Sequence, residues 1–182
     1  MAEVLMLKPR RGGFLRPFGC AEFIKKFLSG EGPYGSPRID QAVGAPQADI
    51  FHHYKMALIS ATALDRATRD EERQARRENR PIDPDRIEEL TAWYLERTPY
   101  KSTSCRYHSF VVYFSNLRRL GWVEHSGMEE PSTFQDRYPE GPPRVFYRLT
   151  AKGRTASILA WANPRLTLYG NGTEKPLSSI HA

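Results

Sequence analysis

The sequence has 182 residues, of which 40% are hydrophobic and 12% aromatic, and its formal net charge is +6. This composition argues against intrinsic disorder and predicts one domain, or a domain with an extension. No apolar run approaches the roughly 20 residues of a membrane-spanning helix, so no membrane protein is expected. The first ten residues lack a secretory pattern and there are only two cysteines, so we expect a reducing cytoplasm.

The excess positive charge is concentrated in three segments. Residues 1–46 include seven basic and four acidic residues. Residues 101–125 include four basic residues and one acidic residue, and so do residues 151–182, so each segment has net charge +3. Such an excess favours anionic partners without selecting one. The most basic arm, residues 1–17, is either a phosphate-contacting arm or a solvated tail that packs on the domain.

The first half of the chain predicts three helices. Residues 18–29 are amphipathic, and residues 30–46 form a linker rich in Gly and Pro. A helix then begins at Pro46, with Ile50, Tyr54, Leu58, Ala61 and Leu64 on its apolar face. Residues 66–80 lose that stripe and mix acids with bases, which favours a solvated helix end over a nucleic-acid stripe.

A third helix is predicted from Asp83-Pro84, an N-cap followed by a first-turn proline. Its predicted buried face consists of Ile87, Leu90, Thr91, Tyr94 and Leu95, with Trp93 well off that stripe. Trp93 is expected to cover the N-terminal arm or a partner subunit. Thr98-Pro99-Tyr100 ends this helix and predicts a short turn to the next one.

The next stretch predicts a helix over residues 102–120, followed by a β-hairpin. Ser102 or Thr103 is the expected N-cap, and the apolar face is Tyr107, Phe110, Phe114, Leu117 and Gly121. Trp122 starts one strand, and the run from Arg144 to Thr150 forms the returning strand. Thr150 caps a last helix that extends to Trp161.

This order resembles the winged helix-turn-helix superfamily, especially regulators of the MarR and PadR type. The resemblance rests on Leu-Arg-Arg-Leu-Gly-Trp-Val-Glu at 117–124 and Tyr-Arg-Leu-Thr-Ala-Lys-Gly at 147–153, and it covers residues 47–161. It implies that the first segment ends the recognition helix and enters the wing, and that the second leaves the wing. In such relatives flanking helices often form the dimer, which makes residues 18–29 and 150–161 candidates for a homodimer contact.

The outer side of the predicted recognition helix combines basic groups with small hydroxyls and an amide. Such a surface suits a major groove, where these groups reach base edges and phosphates, although an ordinary solvated face has the same composition. Two arginines of the returning strand are candidates for backbone contacts. The predicted DNA-binding residues are Lys101, Ser102, Ser104, Arg106, His108, Ser109, Asn116, Arg119, Arg144 and Arg148.

Other activities have weaker support in the sequence. Cys105 and His108 lie one helical turn apart, but no second pair accompanies them at metal-site spacing, so no metal or cofactor is expected. The catalytic motifs of hydrolases, phosphate loops and zinc proteases are missing, and no enzyme is predicted. The loop 126–143 is acidic, unlike the usual basic wing tip, which keeps a protein-binding role open.

The sequence therefore predicts a mainly α-helical protein with a small β-hairpin. Its expected organisation is an N-terminal arm and linker (1–46), a winged helix-turn-helix domain (47–161) and a C-terminal tail (162–182). The leading expectation is a regulator that binds double-stranded DNA through helix 102–120. The alternative is a winged-helix module for protein–protein interaction or assembly within a larger complex.

Overall fold

The structure is a computed structural model and describes residues 18–100, 103, 105–132 and 141–170. The predicted class is confirmed at the level of a mainly helical chain with a small antiparallel sheet, which has three strands. No helix in the described part is long and apolar enough to cross a membrane. In chain order the elements are α1 (Cys20–Leu28), a 3-10 turn (Pro33–Gly35), β1 (Ala45–Pro46), α2 (Gln47–Glu78), α3 (Pro84–Arg97), α4 (Tyr107–Arg119), β2 (Val123–Glu130), β3 (Arg144–Leu149), α5 (Ala151–Thr155), α6 (Ile158–Ala162) and α7 (Pro164–Tyr169).

The sheet has the strand order β1-β3-β2 and is antiparallel throughout. The predicted hairpin of β2 and β3 is confirmed, with Val123 opposite Leu149, but β2 extends to Glu130, so residues 126–130 of the predicted loop 126–143 are strand. The strand β1 was missed, because two residues within a Gly/Pro-rich linker carry no strand pattern. Gly44 allows this pairing: its φ is +74°, and a Cβ there would lie 1.9 Å from the Tyr147 carbonyl oxygen.

One hydrophobic core joins α1, the first half of α2, α4, the sheet and α6. The amphipathic α1 is confirmed, and its apolar face is buried within the subunit. Aromatic rings connect the layers: Phe51 of α2 lies 5.1 Å from Phe110 of α4, and Trp122 stacks on Trp161 at 5.4 Å between centroids. The largest fully buried side chains are Trp161, Phe23, Phe27, Phe110, Phe114, Ile24, Leu28, Ile50, Leu58, Leu117, Leu149 and Glu71.

The second half of α2 and α3 form a helical hairpin. The predicted start of α3 is confirmed, since the Asp83 carboxylate accepts from the amide of Asp85 at 3.0 Å. The predicted buried face is confirmed only in part: Ile87, Leu90, Thr91 and Tyr94 are half-buried, but Leu95 is 38% exposed and no residue of α3 is fully buried. The reason is that α3 packs chiefly on α2, so a single neighbouring helix covers its apolar side. Leu64 of α2, predicted in the core, is 52% exposed.

The predicted start of the recognition helix is also wrong. The helix α4 begins at Tyr107 after Arg106, whose side chain makes no capping hydrogen bond. Thr103 is no N-cap, because its hydroxyl donates to the Tyr100 carbonyl oxygen at 3.0 Å and stabilises a turn before the helix. Ser102, the other predicted cap, lies outside the described residues. The connection from α3 to α4 therefore spans residues 98–106 and is not the short turn that was predicted.

The helix predicted from Thr150 to Trp161 is two helices. Its cap is confirmed, as the Thr150 hydroxyl accepts from the Gly153 amide at 3.0 Å. The helix is interrupted at Ala156, whose carbonyl oxygen accepts from the Lys25 ammonium of α1 at 2.5 Å. The Ser157 hydroxyl then caps α6 by accepting from the Ala160 amide at 3.2 Å.

Candidate nucleic-acid interface

The helix α4 is fixed in the body by one apolar face. Phe110, Phe114 and Leu117 are almost completely buried, and their spacing of three and four residues places them on one side of the helix. The Phe114 ring meets Tyr147 of β3 edge-on, with 5.1 Å between centroids. Because this face is held by both α2 and the sheet, the opposite face points to solvent in a defined orientation.

The C-terminal end of α4 is stabilised by backbone hydrogen bonds around Gly121. The Gly121 amide donates to the Arg118 carbonyl oxygen at 2.9 Å, and the Trp122 amide donates to the Leu117 carbonyl oxygen at 3.0 Å. Gly121 has a φ of +68°, a conformation in which a residue without Cβ is favoured. Trp122 then enters the core, so the end of the helix and the start of β2 are rigidly connected.

The solvent face of α4 contains most of the predicted contact residues on this helix. Arg106, His108, Ser109 and Arg119 are exposed, and Asn116 is half-buried. Val112 lies at the centre of this face with half of its surface exposed. The helix itself contains no acidic residue from Tyr107 to Arg119, so its exposed charge is entirely positive.

Two exposed residues of α4 were missed by the sequence analysis. Arg118 and Ser115 are both exposed, and the Arg118 guanidinium lies 5.1 Å from the centroid of the Tyr147 ring. The helical spacing puts Arg118 on the flank of the apolar face, which is why it was passed over. The pair Arg118-Arg119 at the end of the helix was the available signal.

One flank of α4 is covered by the short helix α7. The Tyr113 hydroxyl donates to the Trp161 carbonyl oxygen at 2.5 Å, and burial raises the pKa of Tyr113 far above its usual range. Arg119 donates to the Tyr169 hydroxyl at 2.5 Å, and its guanidinium lies 5.3 Å from that ring. The partner of Arg119 is a hydroxyl group and an aromatic ring rather than a carboxylate, so these contacts orient Arg119 without forming an ion pair.

The two predicted contacts on β3 are paired with carboxylates in the fold. Arg144 forms ion pairs with Asp49 of α2 and with Glu130 of β2. Arg148 pairs with Glu124, 2.9 Å from Nε to Oε1. Each charge is thereby balanced within the protein, so these two arginines contribute little free positive charge to a phosphate-binding surface.

Three predicted contact residues, Lys101, Ser102 and Ser104, lie outside the described residues. Cys105 and His108 are described, at the N-terminal end of α4. Within the described ranges no group of three or more His, Cys, Asp or Glu side chains is placed to hold a metal ion. The chemistry offered by this face is therefore hydrogen bonding and positive charge.

Comparisons with protein-family models, with curated proteins and with solved structures found no match for this chain.

Proposed function

We propose that this chain is a winged helix-turn-helix protein that binds double-stranded DNA, as transcriptional regulators do, through the solvent face of α4. The observation that carries the proposal is the orientation of α4: its apolar face is buried against α2 and β3, and its opposite face is exposed, basic and without carboxylates. The major groove of B-DNA is wide enough to admit an α-helix presented in this way.

The order of the elements in the body supports the proposal. A winged helix combines three helices with a short strand and a β-hairpin, and the second helix of its helix-turn-helix enters the groove. In this chain α1, the first half of α2 and α4 supply three helices, and β1 pairs beside the β2–β3 hairpin. The helix that packs behind α4 is then α2, and the α2–α3 hairpin is an insertion between the two helices of the motif.

Charge and hydrogen-bonding groups on α4 assign its residues different roles. Arg106, Arg118 and Arg119 are suited to phosphates, because guanidinium groups bind phosphate oxygens with two hydrogen bonds. His108 and Ser109 are the exposed polar groups in the first turn, where a recognition helix contacts base edges. Arg144 and Arg148 are left out of the proposed contacts because of their carboxylate partners.

The test is a pair of arginine substitutions measured by fluorescence anisotropy on random duplex DNA. Arg119→Ala on α4 is expected to weaken binding to every DNA sequence alike. It is also expected to reduce the magnitude of the slope of log K against log salt concentration by about one. The matched control is Arg69→Ala on α2, an exposed arginine in a surface ion pair with Asp65. Equal effects of the two substitutions, or none from Arg119→Ala, would refute the contact.

The alternative, a winged-helix module for protein interaction, is favoured by one observation. The wing strand β2 ends in Glu129 and Glu130. Glu130 is paired with Arg144, whereas Glu129 has no arginine or lysine partner among the described residues, and such a carboxylate repels a phosphate backbone. Under this alternative the chain binds no duplex even at low salt, and a purified complex contains one protein partner in stoichiometric amount. Binding in the anisotropy experiment above would exclude it as the main activity of α4.

A further inference from the structure

The α2–α3 hairpin extends away from the core. The helix α2 has 32 residues and is therefore about 48 Å long, yet its fully buried large apolar side chains, Ile50 and Leu58, lie in the first half. In the second half the buried residues are small or paired: Ala63, Ala67, Ala75 and Glu71. These small residues let α3 approach closely, and α3 is the chief neighbour of this half.

The turn of the hairpin is held by a buried carboxylate. Glu71 has no solvent exposure and accepts two hydrogen bonds from the Arg80 guanidinium. It also accepts from the backbone amide of Asp83 at 2.9 Å. These bonds fix the chain between the two helices and make the hairpin a defined unit.

This unit leaves large apolar side chains in water. Ile82 in the turn and Trp93 on α3 each expose about half of their surface, at 51% and 48%. The Arg97 guanidinium lies 4.3 Å from the Trp93 ring centroid and covers only part of it. A helix normally buries its apolar stripe against a further layer, and two helices alone provide no such layer for these residues.

The charges of the hairpin divide into two segments of opposite sign near its turn. Residues 73–80 contain four arginines and one glutamate, a net charge of +3, and residues 83–89 contain four acids and one arginine, a net charge of −3. Arg76 and Arg77 are exposed and form no ion pair with any other described residue. Glu88 and Glu89 on α3 are exposed as well.

We propose that the α2–α3 hairpin is a dimerisation arm whose partner is a second copy of this chain. In a two-fold interface the same patch meets itself, so the basic segment of one copy faces the acidic segment of the other. That arrangement satisfies both charge segments and covers Ile82 and Trp93 in one step. Two paired hairpins form a four-helix bundle, the usual way in which such helices bury their apolar sides. This inference does not depend on DNA binding.

The test is a charge exchange followed by sedimentation velocity, without DNA. Variant R76E/R77E and variant E88R/E89R each place like charges opposite one another, and each is expected to dimerise at least about tenfold more weakly than the wild-type chain. An equimolar mixture of the two variants restores both attractive contacts and is expected to dimerise as tightly as wild type. All four positions are exposed, so the variants are expected to remain folded, which circular dichroism checks.

A control substitution addresses another exposed apolar side chain, one outside the hairpin. Leu159 on α6 is 80% exposed, and Leu159→Ser is expected to leave dimerisation unchanged, whereas Trp93→Ser weakens it. The proposal is overturned if the wild-type chain stays monomeric at all accessible concentrations, if the mixed variants fail to associate, or if Leu159→Ser is the substitution that separates the subunits.

Discussion

The body and the α2–α3 hairpin use the same helix in opposite ways. In the first half of α2, aromatic and branched side chains are buried among α1, α4 and the sheet, and ring contacts such as Phe51–Phe110 join the layers. In the second half, the buried apolar residues Ala63, Ala67 and Ala75 are small, and polar groups hold the turn. Burial of large apolar surface stabilises the body, whereas the hairpin depends on a seam of small residues and a few charged hydrogen bonds.

One helix, α2, thus connects a rigid body to an exposed arm. Helices with apolar neighbours on several sides hold α4 in a fixed orientation, which a binding surface requires. A hairpin with one seam remains folded but keeps apolar and charged surface in water. The two regions therefore have different expected roles: the body presents α4, and the arm offers a surface to another molecule.

The largest expected difference between the regions comes from one substitution made in each. Leu117 of α4 is fully buried and Leu95 of α3 is 38% exposed, so leucine-to-alanine changes compare the same chemistry in two settings. Leu117→Ala is expected to lower the free energy of unfolding by about 2–5 kcal/mol, because it leaves a cavity in the packed core. Leu95→Ala is expected to lower it by less than about 1 kcal/mol.

Urea denaturation of dilute protein, followed by circular dichroism, measures both values. Dilution matters because association through the hairpins would add to the measured stability of the Leu95→Ala variant on α3. Equal losses of stability would contradict the difference in packing between the body and the hairpin.

The next effect concerns the buried carboxylate of the hairpin. Hydrogen bonds from Arg80 and from the Asp83 amide lower the pKa of Glu71 to about 2, from an ordinary value of 4.5. A lowered pKa means that Glu71 stabilises the fold above its unfolded pKa and that this contribution is lost as the pH falls from about 4.5 to about 2. Glu71→Gln is therefore expected to destabilise the protein at neutral pH.

The stability difference between wild type and Glu71→Gln is expected to close as the pH falls through that window, because protonated glutamate and glutamine are similar in shape and charge. Urea denaturation at several pH values measures it. A difference that stays constant between neutral pH and the acid end of the window would show that the carboxylate charge does not hold the turn.

Local signals in the sequence predicted much of the fold. The N-caps Asp83 and Thr150 accept hydrogen bonds from amides two and three positions further along the chain. The β2–β3 hairpin follows from β-branched and aromatic residues. Such features are determined within a few residues of chain. The features that were missed depend on distant partners: β1 needs Tyr147 opposite Ala45, and Lys25 of α1 binds the carbonyl oxygen at which the last predicted helix breaks.

The candidate site was predictable to a similar extent. The exposed residues of α4 follow from helical spacing, because a buried stripe of Phe110, Phe114 and Leu117 determines the opposite face. The pairing of Arg144 with Asp49 joins residues 95 positions apart, and no sequence pattern connects them. Periodicity also predicted an apolar side for α3, but it does not reveal how many neighbouring elements cover that side.

The salt dependence of wild-type binding to random duplex DNA tests the central claim most directly. Three arginines near or on α4, Arg106, Arg118 and Arg119, are exposed, and neutralising three phosphates corresponds to a slope of about −2.7 for log K against log salt concentration. Wild-type protein is expected to bind at low salt with a slope of about −2 to −3 per bound chain, or about twice that for a dimer that binds with both copies of α4. No binding at low salt, or an affinity that does not change with ionic strength, would contradict it.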